Sequence, residues 1–330
     1  MKARFITVLA LIATSLGWVA SAAWARPPGP EGGAPRSGAP VPSGPAVSEV
    51  QAAAPGGQLI LKTAGDDWRP VVTKGFLLWT ANTTEHRGHY DVYARPFGKQ
   101  PFKVNIGSTE AWLGDVDGTR VVYQTRSGRQ SDIKFFDLST KVTSNPPAGV
   151  NTRAWEWQPS VSGDWLLFNR EVGGYRGTWV IILLNLETGE KRVLASMKHR
   201  GSWFMKAVQV NGNYAVWYRG RFTKGGDSDV YVYDIEAKRT KQITDAHWEY
   251  APSVSADGTV YFNRWDGKST LWLSRKGDWS RRMILHLAPD YDVSNTYPFT
   301  NSDATYLYYD PYSTLDGAFS GDIYRVKVTT

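Results

Sequence analysis

From residue 58 onward the chain is a succession of short apolar runs separated by polar turns, with no segment that sustains a helical period. Six compact runs stand out: Phe76-Leu77-Leu78-Trp79, Val121-Val122-Tyr123, Leu166-Leu167-Phe168, Ala215-Val216-Trp217, Val260-Tyr261-Phe262 and Tyr306-Leu307-Tyr308. Each follows a strand-like lead. The clearest leads are Asp67-Trp68-Arg69-Pro70, Ala111-Trp112-Leu113-Gly114, Glu156-Trp157-Gln158-Pro159 and Glu249-Tyr250-Ala251-Pro252, with Val208-Gln209-Val210 and Tyr297-Pro298-Phe299 as weaker copies. Successive copies lie mostly 44 to 49 residues apart. After each pair comes a third, alternating run such as Ser228-Asp229-Val230-Tyr231-Val232-Tyr233-Asp234, then a fourth such as Lys241-Gln242-Ile243-Thr244. Four short strands per repeat at this period is the signature of propeller blades. The expected fold is therefore all-β, a six-bladed β-propeller of four-stranded blades.

The last repeat stops after its third strand, at Arg325-Val326-Lys327-Val328, and lacks a fourth. A donor stands just before the first repeat, in residues 58–64, where Leu59-Ile60-Leu61-Lys62-Thr63 has the character of the other fourth strands. Its insertion into the last blade would close the ring and remove the exposed edges of an open row of sheets. Residues 58–330 then form the propeller, six units of about 45 residues.

These residues resemble a known family. Asp229-Val230-Tyr231-Val232-Tyr233-Asp234, Gln242-Ile243-Thr244, Pro252-Ser253-Val254-Ser255-Ala256-Asp257-Gly258 and Val260-Tyr261-Phe262 look like the TolB-type, WD40-like PD40 propeller repeat. The resemblance covers nearly all of residues 58–330. It implies a six-bladed, extracytoplasmic protein that acts as a protein-binding platform. TolB itself carries an α/β domain before its propeller, a place taken here by a Pro/Gly-rich stretch.

The N-terminal residues change the picture of where the protein works. Residues 1–25 read as a secretory signal peptide, with Lys2 and Arg4 ahead of an apolar run and Ala23-Trp24-Ala25 as a small-x-small cleavage site. A retained membrane anchor is the rival reading, since the stretch from Phe5 to Ala25 is nearly long enough to span a bilayer. Residues 26–57 are rich in Pro, Gly, Ala and Ser and read as a flexible linker. Cleavage would leave no transmembrane segment and lower the formal charge from +7 to +5. Such a charge, scattered along the chain, does not suit a nucleic-acid binder. The absence of cysteine removes disulfide scaffolds, thiolate nucleophiles and lipoprotein anchors.

In a repeat protein, a residue that recurs in several blades is structural, and a site should break the symmetry. Asp91, Asp132, Asp229 and Asp322 all stand at third-strand starts, so they are expected to fix the preceding turn through side-chain-to-backbone hydrogen bonds. Asp67, Glu156 and Glu249 precede the aromatic of blades one, three and five, whereas Ala111, Met205 and Thr296 take similar places in the even blades. Three acids converging near the channel mouth could hold a hard cation or a ligand amine. Alternatively, each pairs with a neighbouring base. No cofactor is expected beyond a structural Ca²⁺ at that acid set. Glu85-His86-Arg87-Gly88-His89 offers His86 and His89 as a weak metal pair, without the helical spacing of a metalloprotease.

The links between blades share a face with the variable loops between second and third strands, which makes that face the expected binding surface. Asp67, Glu156, Trp157, Trp203, Trp248, Glu249, Arg264 and Trp265 are its ligand-binding candidates. Two function classes remain. One is a secreted, non-catalytic monomer that binds a protein or an anionic cell-envelope polymer. The other is a carbohydrate-active enzyme, a lyase or glycosidase, with Glu156 and Glu249 as acid and base.

Overall fold

The computed structural model describes residues 57–62, 66–82, 89–128, 130–174, 177–199, 203–221, 227–245, 247–287, 291–300, 304–313 and 322–328. The signal segment and almost all of the linker expected from the sequence lie outside these residues. Strand β1 (Gln58–Lys62) is followed by unit 1, made of β2 (Asp66–Thr73), β3 (Phe76–Asn82), β4 (Tyr90–Pro96) and β5 (Phe102–Lys103). Unit 2 has β6 (Glu110–Asp117), β7 (Arg120–Ser127), β8 (Gln130–Asp137) and β9 (Val142–Ser144). Unit 3 has β10 (Trp155–Ser162), β11 (Trp165–Val172), β12 (Thr178–Asn185) and β13 (Lys191–Lys198). In unit 4 come β14 (Trp203–Asn211), β15 (Tyr214–Arg221), β16 (Ser228–Asp234) and β17 (Arg239–Gln242). Unit 5 holds β18 (Trp248–Val254), β19 (Val260–Trp265), β20 (Ser269–Ser274) and β21 (Arg281–His286). The last unit has β22 (Tyr291–Thr300), β23 (Thr305–Ser313) and β24 (Asp322–Val328).

The fold is all-β, with no helix among the described residues. Each unit is an antiparallel four-stranded sheet in chain order, and units 4 and 5 are joined into one sheet by a single parallel bridge, Ser228 to Trp248. In the last unit the outer place is taken by β1, which pairs antiparallel with β24 from Gln58 opposite Arg325 to Lys62 opposite Asp322.

Burial follows position in the sheet. Second strands bury consecutive residues on both faces, as in Leu77-Leu78-Trp79 and Leu166-Leu167-Phe168, because a neighbouring sheet covers each side. The outermost β17 is exposed throughout. Apolar clusters lie between consecutive units, and a further one joins Leu61, Tyr308 and Ile323 of the last sheet to Val72, Leu77 and Trp79 of unit 1. Third-strand aromatics stack on their second-strand partners: Tyr93 on Trp79 at 5.8 Å, Tyr231 on Trp217 at 5.6 Å and Tyr324 on Tyr309 at 6.0 Å.

The Trp/Tyr-x-Pro lead is a β-bulge. Arg69, Gln158 and Ala251 each adopt positive φ, at 53°, 50° and 49°, and the strand register shifts across them and the following proline. The sixth unit departs from the expected alignment. Its register shift falls between Val293 and Thr296, so Asp292, paired with Tyr312, takes the place equivalent to Glu156, and Thr296 aligns with Ser160 and Ser253. Pro298, unlike Pro70, Pro159 and Pro252, lies beyond the bulge. The recurring third-strand aspartates also differ from expectation, since their partners are side chains. Asp91 accepts from Asn105 Nδ2 at 2.8 Å and pairs with Lys103 at 2.8 Å. Asp132 accepts from Gln130 Nε2 at 3.4 Å and Asp322 from the Tyr324 hydroxyl at 3.4 Å.

First strands lie against one another in sequence, and β22 lies against β2. Side chains stitch them together. Leu113 N donates to Thr80 Oγ1 at 2.9 Å, Ser160 Oγ donates to Asp115, and Val210 N donates to Ser160 Oγ at 2.8 Å. Val254 N donates to Gln209 Oε1 at 2.8 Å, Ser253 and Thr296 share a hydroxyl bond of 2.8 Å, and Arg69 N donates to Asp310 Oδ2 at 3.0 Å. The packing behind this belt leaves little room. A Cβ on Gly114 would stand 2.2 Å from the Pro159 carbonyl oxygen and 2.8 Å from that of Val122, both rigid backbone atoms. Gly114→Ala is therefore expected to cost roughly 1–3 kcal/mol by overpacking. Urea denaturation would check this, and an unchanged midpoint would refute it.

Candidate functional site

Glu156 and Glu249 are equivalent residues in equivalent strands, and their surroundings differ. Both are fully buried, and both have their backbone carbonyl clasped by a serine of the preceding unit, Ser131 at 2.7 Å and Ser228 at 2.6 Å. Arg170, opposite Glu156 on β11, donates from Nε to Oε1 at 2.7 Å, and Thr152 Oγ1 donates to the same oxygen at 2.7 Å. Arg170 also donates to the Gly149 and Val150 carbonyls, so the pair is fully built into unit 3.

In unit 5 the position of Thr152 is taken by Asp245, which faces outward to Arg281 at 3.3 Å. Arg264 Nε stays 3.9 Å from Glu249 Oε1, and neither the carboxylate oxygens nor Arg264 Nε makes a well-formed hydrogen bond among the described residues. Burial pushes the Glu249 carboxyl up to about 7, against the pull of Arg264 and of the His247 backbone amide. Asp229 adds to that push and is itself raised to about 6 by burial and by Asp227 and Asp245.

Asp67, the third acid of the set, is 3% exposed on β2. Among the described residues no three His, Asp or Glu side chains gather closely enough to hold a metal ion, and Asp67, Glu156 and Glu249 form no such group. His89 lies 3.3 Å from Asp91, sharing that carboxylate with Lys103 and Asn105. His86 lies outside the described residues.

The aromatic candidates do share one side of the molecule. Register places Trp155 opposite Glu171, Trp203 opposite Arg221 and Trp248 opposite Trp265, all where first strands begin and second strands end. Trp203 is half-buried, with the exposed guanidinium groups of Arg219 and Arg221 5.2 and 4.5 Å from its ring. Trp157 meets Trp179 edge-on at 5.7 Å, and Trp179 stacks on His199 at 4.9 Å. Arg264 lies over Trp272 at 5.0 Å.

A cluster of charged side chains lies at the first strands. Arg69, 8% exposed, acts electrostatically on Asp115 of unit 2, Asp310 of the last unit, and Lys206 and Tyr218 of unit 4. Burial lowers Arg69 to about 10 even with both aspartates beside it, and raises each aspartate to about 7. It also lowers Lys206 to about 8, with Arg69 adding its repulsion. Arg69, Asp115, Gln209, Asn295 and Tyr297 line a cavity of about 20 Å³ there. That volume holds a single water molecule.

Comparison with family models and with curated proteins gives no match to this sequence. Solved structures do match in shape. An oligogalacturonate lyase in complex with manganese is 12% identical, with a TM-score of 0.51 over 87% of this chain and 84% of the other. A protein assigned as TolB from Agrobacterium tumefaciens is 12% identical, with a TM-score of 0.50 over 81% and 92%. The fold is that of a TolB-like β-propeller. TolB from Acinetobacter baumannii is 17% identical, with a TM-score of 0.47 over 73% of this chain, which spans 60% of that protein.

In this TolB-like propeller, Trp203 and Trp248 stand at the starts of first strands and Trp265 at the end of a second strand, whereas Glu156 is held inside an ion pair. The axial residues Arg69, Asp115, Lys206 and Asp310 were missed, although Lys206 stands where other repeats carry Trp68, Trp112, Trp157 and Tyr250. The two glutamates give a contrast to measure. Glu156→Gln leaves a buried Arg170 uncompensated and should cost about 3–5 kcal/mol. Glu249→Gln should instead respond to pH. A carboxyl raised to about 7 stabilises the fold fully below its unfolded value of about 4.3, and that contribution is lost as pH rises through 7. Relative to the parent, Glu249→Gln should gain on the order of 2 kcal/mol between pH 4.5 and pH 8. Equal pH dependence in denaturation curves of parent and Glu249→Gln would sink the assignment.

Proposed function

We propose that this chain is a secreted, non-catalytic binding platform that recognises an anionic cell-envelope polymer through the loop face of its propeller. In this reading the propeller has six blades, closed by β1, and stands outside the cytoplasm after removal of residues 1–25. Support for the closure comes from the pairing of β1 with β24 and from the apolar cluster shared by the last unit and the first. Support for the location comes from the basic, apolar and small-residue order of the N terminus.

The observation that carries the binding reading is Trp203 with Arg219 and Arg221 at its ring in unit 4, together with the ring contacts of Trp157, Trp179 and His199 in unit 3. Indole faces stack on sugar rings, and guanidinium groups pair bidentately with carboxylate or phosphate. A protein partner would use the same face, and its recovery in place of a polymer is an outcome of the test.

A carbohydrate-active enzyme is the second reading, favoured by one feature, the buried Glu249 carboxyl that titrates near neutrality. Glu156 gives it less support, because Arg170 and Thr152 already occupy that carboxylate. The oligogalacturonate lyase neighbour supplies the substrate class for an assay.

Retention of the mature chain on immobilised polyuronate, poly(glycerol phosphate) and neutral dextran separates these readings. An anionic polymer should retain it and dextran should not, with retention falling as salt rises. Trp203→Ala and Arg221→Gln should each weaken retention on the order of tenfold. Equal passage through all three matrices removes the platform reading, and release of unsaturated sugar from polyuronate establishes the enzymatic one.

A further inference from the structure

Glu249 and Arg264 face each other across β18 and β19 as Glu156 and Arg170 do across β10 and β11. The unit 3 pair is closed at 2.7 Å, and the unit 5 pair stands open at 3.9 Å. Among the described residues, both Glu249 carboxylate oxygens and Arg264 Nε are buried without a well-formed hydrogen bond. Two buried charges held apart in this way give up much of the attraction that offsets their desolvation. The open arrangement therefore calls for a neutral carboxyl and for another hold on the guanidinium.

Unit 5 supplies that hold. Arg264 lies over the Trp272 ring at 5.0 Å, and Trp272, opposite Phe262, takes the place of Ile182, opposite Phe168, in unit 3. The indole is itself fixed, since Trp272 Nε1 donates to Thr270 Oγ1 at 2.9 Å and Thr270 Oγ1 donates to the Arg264 carbonyl at 3.1 Å. Arg170 has no ring across from it and lies over Phe168 of its own strand at 5.4 Å. An aromatic face attracts a guanidinium most strongly where water is excluded.

Several strands set the charge around Glu249. Burial opposes ionisation most, Arg264 and Arg281 favour it and Asp229 opposes it, which holds the carboxyl at about 7. Asp229 has Asp227, Asp245 and Arg219 around it. His247 precedes β18, and His286 stands exposed opposite Thr270 on β21. Of the other strands packed on β18, β14 carries the buried Lys206, β15 carries Arg219 and Arg221 at the Trp203 ring, and β22 carries Asp292.

We propose that Glu249, Arg264 and Trp272 form a proton-operated switch in unit 5. With the Glu249 carboxyl protonated, the guanidinium rests on the Trp272 indole. When the carboxyl loses its proton to solvent, Arg264 turns to it and takes up the geometry of Arg170 on Glu156. Unit 3 shows the closed arrangement and unit 5 the open one, on the same pair of strands. The open form leaves one positive charge uncancelled beside Trp265, at the end of β19, and the closed form cancels it. The switch stands apart from the platform reading, because it rests on contacts within unit 5.

The Nε–H resonance of Arg264, followed by NMR in the arginine-labelled mature chain, tests the switch. It should move with pH through a single transition near 7, toward the position of the Arg170 resonance, which should itself stay still. Glu249→Gln should abolish the transition. Trp272→Ile, which puts the unit 3 residue in that place, removes the resting ring and should lower the midpoint by roughly half a pH unit or more. An Arg264 resonance that is constant from about pH 5 to about pH 9 overturns the switch. So does a transition that persists in Glu249→Gln, or a Trp272→Ile chain that keeps the parent midpoint.

Discussion

Apart from the single bridge from Ser228 to Trp248, the first strands have no β partner, among the described residues, on the edge away from their second strands. A buried amide left without an acceptor costs about 1–3 kcal/mol, so those edges must be served by side chains. Thr80, Ser160, Gln209 and Asp310 supply the acceptors for the amides of Leu113, Val210, Val254 and Arg69, each from a neighbouring unit. The polar belt therefore satisfies the strands and fixes the order of the units at once. It also explains why an apolar-cored β protein buries so many polar residues near its centre, and why the cavity left there is no larger than a water molecule.

At the joint between the last unit and the first, as at the joint where Ser160 donates to Asp115, the belt uses a carboxyl. Asp310 takes the Arg69 amide and two bonds from Asn295, at 2.6 and 2.7 Å, while burial holds its carboxyl up at about 7. Arg69 lies in an electrostatic balance with Asp310 and Asp115, and the three explain how a guanidinium can sit at the axis at all. Strand β1, paired with β24, adds an apolar contact at this joint, since its Leu61 is buried against Leu77 and Trp79 of unit 1. Backbone pairing at the outer edge and a charged belt at the inner edge thus act on the same two sheets.

The repeat made most of this architecture legible in the sequence. Periodic spacing located the second strands, and the missing fourth strand pointed to residues 58–64, of which Gln58–Lys62 form the strand beside β24. Register in the sixth unit was not legible. A proline marks the bulge in units 1, 3 and 5, but Pro298 lies past the bulge, which uses Ser294 and Asn295 instead. The axial cluster escaped for a different reason. Arg69 and Lys206 are more than a hundred residues apart, and only the arrangement of the first strands brings them together. The recurring aspartates were recognised as structural, although their side-chain partners come from residues such as Lys103 and Asn105, whose spacing varies between units.

Units 3 and 5 show how symmetry separates scaffold from chemistry. Their acid strands share the bulge, the serine clasp and the facing arginine, so the fold is served equally by both. Where unit 3 has Thr152, which completes the Glu156 site as a donor, unit 5 has Asp245, which faces outward to Arg281 and leaves Glu249 without that donor. The ion pair then opens from 2.7 to 3.9 Å, and the carboxyl becomes protonatable near neutrality. Lys206 follows the same logic at the axis, a cation where five equivalent positions are apolar. In units 3 and 5 the bulge and the strand pairing are alike, and the difference lies in the electrostatics around the carboxyl. A repeat fold can tolerate such local penalties because each is confined to one or two joints of a belt that the remaining units keep intact.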